Sequence, residues 1–417
     1  MILGHQIALE PTDGQASYFR RAAGTARYAY NWGLAEWKRM YKAGEKPNAN
    51  KVKAAWNAHR EAELPWSYEV TKCASAQAIR DLGKAFSNFF RDLEKPKHER
   101  HFGYPQFRRK RTDEGFYIDS DKLEIDGRTV KVPMLGQVKM REELRFSGKI
   151  MGARVSFSGG RWFLSVQVET VPDVEPAPAG TFCGIDWGIE TLATVSSEDG
   201  TVIEKVENPK PGKRLAEQKK RLQRRASKQR HRAKALRIKD SRRQYARQLK
   251  VSKLAARERN IRQDAAHKFT TGIARRIETV VLEDLNASGM SKNHALAGAV
   301  LDANPYEIRR QLEYKVAMRG GRIVYADRFY PSSRTCSACG LVVESLPLSM
   351  RTWTCVCGTH HDRDANSAIN LERLGRATAE VTRRDMAAST YARKGAGKRR
   401  GRTANQNSEE HICAPSR

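Results

Sequence analysis

The sequence lacks the features that would place it in a membrane or build it around disulfides. No apolar run approaches the roughly 20 residues that cross a bilayer, and the basic stretches are too polar to anchor the chain to a membrane surface. Only 7 of the 417 residues are cysteine, and no signal peptide is recognisable. We therefore expect a cytoplasmic protein without a disulfide framework.

Acidic residues are few compared with basic ones. The chain has 77 Lys and Arg against 47 Asp and Glu, which gives a formal net charge of +30. So large an excess repels itself unless a polyanion neutralises it. The composition therefore predicts a nucleic-acid partner. The length allows two or three domains with real cores.

Four of the cysteines lie close together toward the C-terminal end. They form a C-x-x-C pair and a C-x-C pair, each followed by glycine. Four thiolates on two tight turns suit a tetrahedral Zn²⁺ site better than a disulfide or four unrelated buried thiols. Because the second pair is shorter than usual, His360 or His361 is an alternative ligand. The four cysteines are Cys336, Cys339, Cys355 and Cys357.

The N-terminal part of the chain combines strand and helix patterns. Residues 2 to 9 predict a strand, and helical spacing predicts helices from Thr12 or Asp13 to about Tyr41 and over 67–93. Residues 115 to 171 turn to period-two runs, with a hairpin turn at Gly159 and Gly160. We therefore expect a small antiparallel β-barrel interrupted by a helical domain and ended by a Pro-rich linker over 171–180.

The remainder predicts an α/β domain with acidic residues at its strand ends. After the linker come three short strands in a meander, two very basic helices over 213–277, a strand at 279–285, a helix at 305–319 and a strand at 322–326. Asp186 lies near the end of the first strand. This order is typical of an RNase H-like domain, in which acids at strand ends and helix starts hold two divalent cations for phosphodiester cleavage.

Two of the acid choices stay open at this point. Side chains alternate along a strand, so only one of Glu283 and Asp284 can face the site. The same uncertainty applies to Asp362 and Asp364, which flank one arginine at the start of a helix where aspartates are often caps. The residue pattern alone does not choose between the members of either pair.

Three motifs in order carry a family resemblance. The segments GIDWGIETLAT, VLEDL and CxxCG…WTCxCGTHHDRDANSAINL resemble the RuvC-type nuclease domain of TnpB, a transposon-encoded RNA-guided nuclease related to compact type V CRISPR effectors. The similarity extends through GTARYAYNWGLAEWK, AFSNFFRDL and FGYPQFRRKR, so it covers nearly everything except the tail. The ordered recurrence of these motifs makes the resemblance specific.

The resemblance implies an RNA-guided DNA endonuclease. Its catalytic acids would be Asp186, Glu283 and Asp364, holding two Mg²⁺ or Mn²⁺ ions, and the four cysteines would hold one structural Zn²⁺. The partners would be a guide RNA from the transposon end and target double-stranded DNA, cut beside a short adjacent motif. The protein would be a monomer, prokaryotic and associated with the nucleoid. Asp264 and His267 lie in a helix similar to one packed near the family's active site.

Two surfaces are candidates for nucleic-acid contacts. The basic helical hairpin over 213–277 is so densely charged that we expect it to lie on RNA, and a helical face in the N-terminal region would read the adjacent motif by analogy. The hairpin candidates are Arg224, Arg225, Lys228 and Arg230, and the candidates on the helical face are Lys72, Gln77 and Arg80 with Tyr28 and Tyr30 as neighbours.

The expected domains follow from these assignments. They are a β-barrel over 1–10 and 95–175, a helical recognition domain over 11–94, a RuvC-like nuclease domain over 181–330 and 360–377, a zinc ribbon over 331–359 and a disordered basic tail over 378–417. Two other functions fit some of the same features. One is a strand-transfer transposase, and the other is a non-catalytic RNA-guided repressor, which the intact set of acids disfavours.

Overall fold

A computed structural model describes residues 1–110, 114–171, 173–236, 241–284, 289, 297–347 and 349–396. The chain divides into two compact units. One comprises Met1–Asp173 with Arg214–Asn260, and the other comprises Val174–Lys213 with Ile261–Arg417. No helix among the described residues is long and apolar enough to cross a membrane.

The first unit is built on a seven-stranded antiparallel sheet. The strand order is β2-β6-β7-β1-β5-β4-β3, and β2 and β3 each have one partner. The described strands therefore form an open sheet, and the predicted closed barrel is wrong, because its two edge strands are short and do not pair with each other. The strands are β1 (Ile2–Glu10), β2 (Gly115–Asp119), β3 (Glu124–Asp126), β4 (Thr129–Val132), β5 (Gly136–Met140), β6 (Lys149–Ser158) and β7 (Arg161–Glu169).

Three helices accompany this sheet, α1 (Asp13–Lys42), α2 (Ala49–Glu63) and α3 (Lys72–Leu93). Of these, α1 and α3 pack against the sheet, and α2 packs against those two helices. The α1 helix starts with a capping box, in which the Thr12 hydroxyl accepts from the Gln15 backbone and the Gln15 side chain accepts from the Thr12 backbone. Buried Phe19 of α1 contacts the sheet through Trp162, with 5.1 Å between ring centroids. The predicted helices are thus present.

The basic hairpin consists of α4 (Pro211–Ala235) and α5 (Arg242–Arg276). Its middle part, Arg214–Asn260, belongs to the first unit. The β6–β7 turn explains this grouping. Added Cβ atoms on Gly159 and Gly160 would crowd Ala256 and Lys253 of α5, and both glycines have positive φ, at 57° and 84°. Glycine therefore permits both the turn and its close approach to the helix.

The second unit is built on a five-stranded mixed sheet in the order β10-β9-β8-β11-β12. The β8–β9–β10 meander is antiparallel, whereas β11 is parallel to both β8 and β12. The predicted meander and the two later strands are confirmed. The strands are β8 (Phe182–Trp187), β9 (Thr191–Ser197), β10 (Val202–Glu207), β11 (Thr279–Glu283) and β12 (Arg322–Ala326).

Within the described residues, this unit contains the end of α5 from Ile261 onward and three further helices, α6 (Ala297–Ala303), α7 (Pro305–Met318) and α8 (Arg363–Ala396). The α8 helix packs directly on β8 at Gly184, where a Cβ would collide with the backbone of Ala368 and Glu372. The chain from 378 to 396 continues α8, so the prediction of a disordered tail from 378 is wrong for this part. Ala and Arg are strong helix formers and prolong the helix there. Residues 397–417 lie outside the described residues.

One buried carboxylate fastens both ends of the hairpin to the second unit. Asp302 of α6 accepts hydrogen bonds from the backbone amides of Gly212 and Lys213 at 2.9 and 3.1 Å, at the start of α4. The same carboxylate accepts from Arg262 of α5 at 3.1 Å. Asp302 is 6% exposed, and a Cβ on Gly212 would crowd it. Asp302 therefore caps one helix and pairs with the other.

Candidate active site and cysteine cluster

Three carboxylates come from separate elements of the second unit. Asp186 lies near the end of β8, Glu283 ends β11, and Asp364 lies in the first turn of α8. The parallel register pairs Leu282 with Ile185, so Glu283 and Asp186 continue from neighbouring positions at the same sheet edge. The carboxyl ends of parallel strands are where α/β sheets place their ligand sites.

The three carboxylates act on one another electrostatically. The pKa of Asp186 is raised well above its usual range, first by burial and then by the negative charges of Glu283 and Asp364. The Ser367 hydroxyl donates to Asp186 Oδ1 at 2.9 Å and offsets part of this rise. Such crowding of acids in a partly buried place is typical of a functional site.

Different partners distinguish Glu283 from Asp284. Asp284 pairs with Arg309 at 3.2 Å and Arg328 at 2.8 Å, and hydrogen bonds to these two arginines, led by the Arg328 bond, lower its pKa. Glu283 instead accepts a hydrogen bond from the Ser332 hydroxyl at 2.5 Å and raises the pKa of Asp186. Glu283 is therefore the acid of this pair that lies with Asp186.

Asp362 and Asp364 differ in the same way. Asp362 accepts from the Ala365 amide at 3.0 Å as a helix cap and pairs with Lys205 at 2.8 Å. Although burial opposes the change, these partners lower the pKa of Asp362. Asp364 lies 3.7 Å from Arg351 and raises the pKa of Asp186. Asp362 has a structural partner for its charge, whereas Asp364 lies with the other acids.

This donor set fits hard divalent cations. Carboxylate oxygens are the ligands that Mg²⁺ prefers, and bound cations would remove the repulsion that raises the pKa of Asp186. Two cations in such a site lie about 3.5–4 Å apart. The carboxylates that bind them are therefore farther from one another than the ligands of a single ion are.

The cysteines form a tighter group. Their four sulfur atoms all lie within 4.8 Å of one another, and the closest pairs, Cys336 with Cys357 and Cys339 with Cys355, are each 3.7 Å apart. Cys355 and Cys357 lie in the turn between the paired strands β13 (Thr352–Thr354) and β14 (His360–Asp362). The cluster has the composition and compactness of a structural zinc site.

The two histidines lie outside this group of sulfur atoms. His361 Nε2 is 3.1 Å from Cys336 Sγ, and the ring packs on Trp353 with 4.7 Å between centroids. His360 Nδ1 is 3.0 Å from the Thr354 hydroxyl. His361 is thus positioned to hydrogen-bond the Cys336 sulfur, while the group of side chains compact enough to hold a metal ion consists of the four cysteines.

The two α5 residues have partners of their own. Asp264 pairs with Lys268 one turn later at 2.8 Å, and both side chains are largely exposed. His267 Nδ1 lies 3.1 Å from Lys315 Nζ of α7. Their described contacts therefore join helices and helix turns.

The helical-face candidates are placed unequally. Lys72 is exposed, and Arg80 bonds to Gln77 at 2.7 Å and to Asp119 at 2.6 Å. Tyr28 is 39% exposed, but Tyr30 is only 5% exposed and belongs to the core. The expectation that Tyr30 lies on a binding surface is therefore wrong, since residues two apart on a helix point about 200° away from each other.

All four hairpin candidates are exposed on α4. Two of them, Arg225 and Lys228, line a cavity of about 590 Å³ between α4 and α5 together with Arg232 and Arg247. The latter two escaped the sequence analysis, although Arg232 follows Arg225 and Lys228 at helical spacing and could have been found from it. Ser332 and Ser367 also escaped it, because serine in a loop or a helix carries no sequence signal of its partner.

Family models match three parts of the chain. A model described as "Probable transposase" matches residues 165–294, one described as "Cas12f1-like, TNB domain" matches residues 306–371, and a "Helix-turn-helix domain" model matches residues 1–46. The second match covers the four cysteines and Asp364.

Whole-length relatives give the same result. The chain is 34% identical over 384 residues to a Streptomyces pristinaespiralis protein described as "Putative RNA-guided DNA endonuclease", covering 88% of each chain. It is 31% identical to InsQ of Escherichia coli K12, which has the same description, covering 89% of this chain and 92% of that one. A solved Cas12f1–sgRNA–target DNA complex aligns with 89% of this chain and 99% of its own at 16% identity and a TM-score of 0.33.

Because identity above 30% extends over nearly the full length of both chains, this chain belongs to the TnpB family of transposon-encoded proteins that its sequence motifs resemble.

Proposed function

We propose that this protein is a Mg²⁺-dependent RNA-guided DNA endonuclease that cuts double-stranded DNA complementary to its guide, next to a short adjacent motif. The observation that carries the proposal is the convergence of Asp186, Glu283 and Asp364, of which the second and third raise the pKa of the first. The relatives described as RNA-guided DNA endonucleases support the same function.

The nuclease domain would be RNase H-like, of the RuvC type. Three antiparallel meander strands followed by two parallel strands, with acids on the first and fourth strands and on the last helix, support this assignment. The acids then lie at one sheet edge, where a phosphodiester can approach from solvent.

Asp186, Glu283 and Asp364 would hold two divalent ions, which supply water activation and stabilisation of the leaving oxygen. The chain itself orients the acids. Ser367 donates to Asp186 and Ser332 donates to Glu283, so each of these two carboxylates has a hydrogen bond that orients it. Arg351, 3.7 Å from Asp364 and 65% exposed, is available to a phosphate near that acid.

The guide RNA would lie partly on the basic hairpin. The cavity between α4 and α5 is lined by four cationic side chains, Arg225, Lys228, Arg232 and Arg247, which suit phosphates. Neutralising Arg224, Arg225, Lys228 and Arg230 together should make the log–log salt dependence of RNA affinity shallower by about 0.7 to 0.9 for each phosphate that is no longer neutralised. An unchanged slope would mean that the hairpin is a solvent-exposed coiled coil that does not contact the RNA.

The protein would read the adjacent motif while guide pairing reads the target sequence. Contacts with phosphates and metal ions carry no base information, so other side chains must recognise the motif. The candidates are Lys72, Gln77 and Arg80, with Tyr28 beside them. Changing these side chains together should weaken cutting of every target alike.

The four cysteines would hold one structural zinc. The small ribbon around them buries three core residues of its own, Cys336, Trp353 and Cys355, which is too little apolar surface to fold alone.

A plasmid-cleavage assay with original and exchanged guides, in Mg²⁺ and in EDTA, tests the proposal. Exchanging the guide segment should redirect cutting to the new complementary sequence beside the same motif, and EDTA should abolish it. Mismatches nearest the motif should abort binding, whereas distal ones should mainly slow cleavage. Cutting that ignores the guide, or that persists at full rate in EDTA, would overturn it. Sequencing of copurifying RNA would identify the guide.

A strand-transfer transposase is the second candidate, because the model matching residues 165–294 is described as "Probable transposase". The same acids could support joining of DNA ends. Joined products that form without added RNA would favour that candidate, and cleavage that needs RNA and leaves no joined product would exclude it.

A further inference from the structure

The first two turns of α8 carry four polar side chains that interact with the acid group or with the segment before the first cysteine. Asp364 belongs to the acid group, and Ser367 donates to Asp186. Asn366 and Asn370 follow the same helix face, since residues three and four apart are neighbours on a helix. Both asparagines are almost fully buried, at 1% and 4% exposure, so their amides must find partners inside the protein.

Those partners lie in the segment that leads into the first cysteine. Asn370 Nδ2 donates to the carbonyls of Ser332 at 2.8 Å and Thr335 at 2.7 Å. Asn366 Nδ2 donates to the Thr335 carbonyl at 2.7 Å, and its Oδ1 accepts from the Ser337 amide at 2.9 Å. The two amides therefore hold residues 332–337 along α8, with Cys336 inside the segment they hold.

The other end of that segment reaches the acids. Ser332 is 4% exposed, its carbonyl accepts from Asn370, and its hydroxyl donates to Glu283. A continuous line of hydrogen bonds thus runs from α8 through Ser332 to Glu283. Asn366 binds the residues on both sides of Cys336, through the Thr335 carbonyl and the Ser337 amide.

We propose that Asn370 and Ser332 are positioning residues that fix the Glu283 carboxylate for divalent-cation binding, and that Asn366 fixes the cysteine segment to the same helix. The inference rests on the proposed function, because it assigns these residues to the cation site of that function. It makes α8 the common support of both metal-ligand groups. Hydrogen bonds that orient a metal's ligands typically change metal affinity or activity by about 10-fold to 100-fold when removed.

The experiment measures Mn²⁺ binding to the full-length protein by electron paramagnetic resonance, without nucleic acid, alongside zinc content and guided cleavage. Ser332→Ala and Asn370→Ala should each weaken Mn²⁺ affinity and raise the Mg²⁺ concentration for half-maximal cleavage by about 10-fold or more. Zinc content should stay at the wild-type level in Ser332→Ala, which keeps the bonds of both asparagines to the Thr335 carbonyl. Asn366→Ala, which leaves the Ser332 contact intact, should instead lower zinc retention.

Ser333→Ala is the matched control. Among the described residues, the hydrogen bond of Ser333 uses its backbone carbonyl, which accepts from Asn366 at 3.5 Å and is kept in the variant, so Mn²⁺ affinity should be unchanged. The Ser332→Ala, Asn370→Ala double variant should lose no more affinity than the larger single loss, since both act through one hydroxyl. The inference would be overturned if the double variant lost Mn²⁺ affinity by the product of the two single losses, or if Ser332→Ala kept wild-type Mn²⁺ affinity. Because Ser332→Ala removes one oxygen, it stays informative if Asn370→Ala fails to fold. Wild-type protein that binds Mn²⁺ but does not cleave would count against the proposed function alone.

Discussion

The cysteine cluster and the acid group both consist of side chains of the types that bind metal ions, but they are assembled differently. The cysteines come from one short stretch, and their sulfur atoms lie within 4.8 Å of one another. The acids come from two strands and a helix that only the completed sheet brings together. A local cluster depends on turns and its ion, whereas an assembled group depends on the whole unit. The two regions should therefore respond differently to substitution.

The largest effect should come from removing an acid. Asp186→Ala, Glu283→Ala or Asp364→Ala should each slow cleavage by about 1000-fold or more, since a metal supplies several kcal/mol and each 1.36 kcal/mol is about tenfold. Guide RNA binding should persist. A double variant should cost little more than a single one, because the three act as a unit. Single-turnover cleavage and RNA-binding assays measure both, and near wild-type cutting by Asp364→Ala would contradict the assignment.

The next largest effect should come from the cysteines and should begin locally. Cys336→Ser should release zinc and unfold the ribbon, because the ribbon's fold depends on the ion. Elemental analysis should find about one zinc per wild-type chain and much less in the variant, and proteolysis should cut first within 331–359. The buried Cys73→Ser, outside the cluster, controls for loss of a thiol. If zinc-free protein still cleaved, the cysteines would be packed side chains without a role in metal binding.

Protons should compete with cations at the acids. Burial, with Glu283 and Asp364, raises the pKa of Asp186, so this carboxyl holds its proton to a higher pH than an exposed aspartate does. A cation must displace that proton, and Mg²⁺ affinity should therefore rise with pH and fall as pH is lowered. Calorimetric titration at several pH values should find proton release on binding. Affinity independent of pH would mean that Asp186 does not bind the ion.

The smallest effects should come from the neighbouring acids that already have partners. Asp284→Asn loses the bonds to Arg309 and Arg328, and Asp362→Ala loses a helix cap and Lys205. The lost cap should lower the free energy of unfolding by about 0.5–2 kcal/mol, while cleavage stays within a few-fold of wild type. Thermal unfolding and cleavage rates measure these effects. If Asp362→Ala lost cleavage while Asp364→Ala kept it, Asp362 and not Asp364 would be the catalytic acid.

The sequence predicted the local parts of this protein better than the assembled ones. Strands β8, β11 and β12 and the cysteine pairs follow from short patterns. Closure of the N-terminal sheet does not, because pairing of its edge strands depends on contacts far apart in sequence. Likewise, the choice of Glu283 over Asp284 needed Arg309 and Arg328, which no periodicity connects to β11. The family resemblance made that choice in the sequence, and the ion pairs give it a physical reason.

The Asp302 anchor has a consequence for how this architecture can vary. Since one carboxylate binds Gly212, Lys213 and Arg262, the chain leaves the second unit and returns to it at nearly the same point. An insertion with adjacent ends can change length without altering the structure that carries it. The hairpin is therefore a natural place for relatives to differ in size. A designer who changes its length while keeping the five-stranded sheet intact would also have to keep Lys253 and Ala256, which lie against the β6–β7 turn of the first unit.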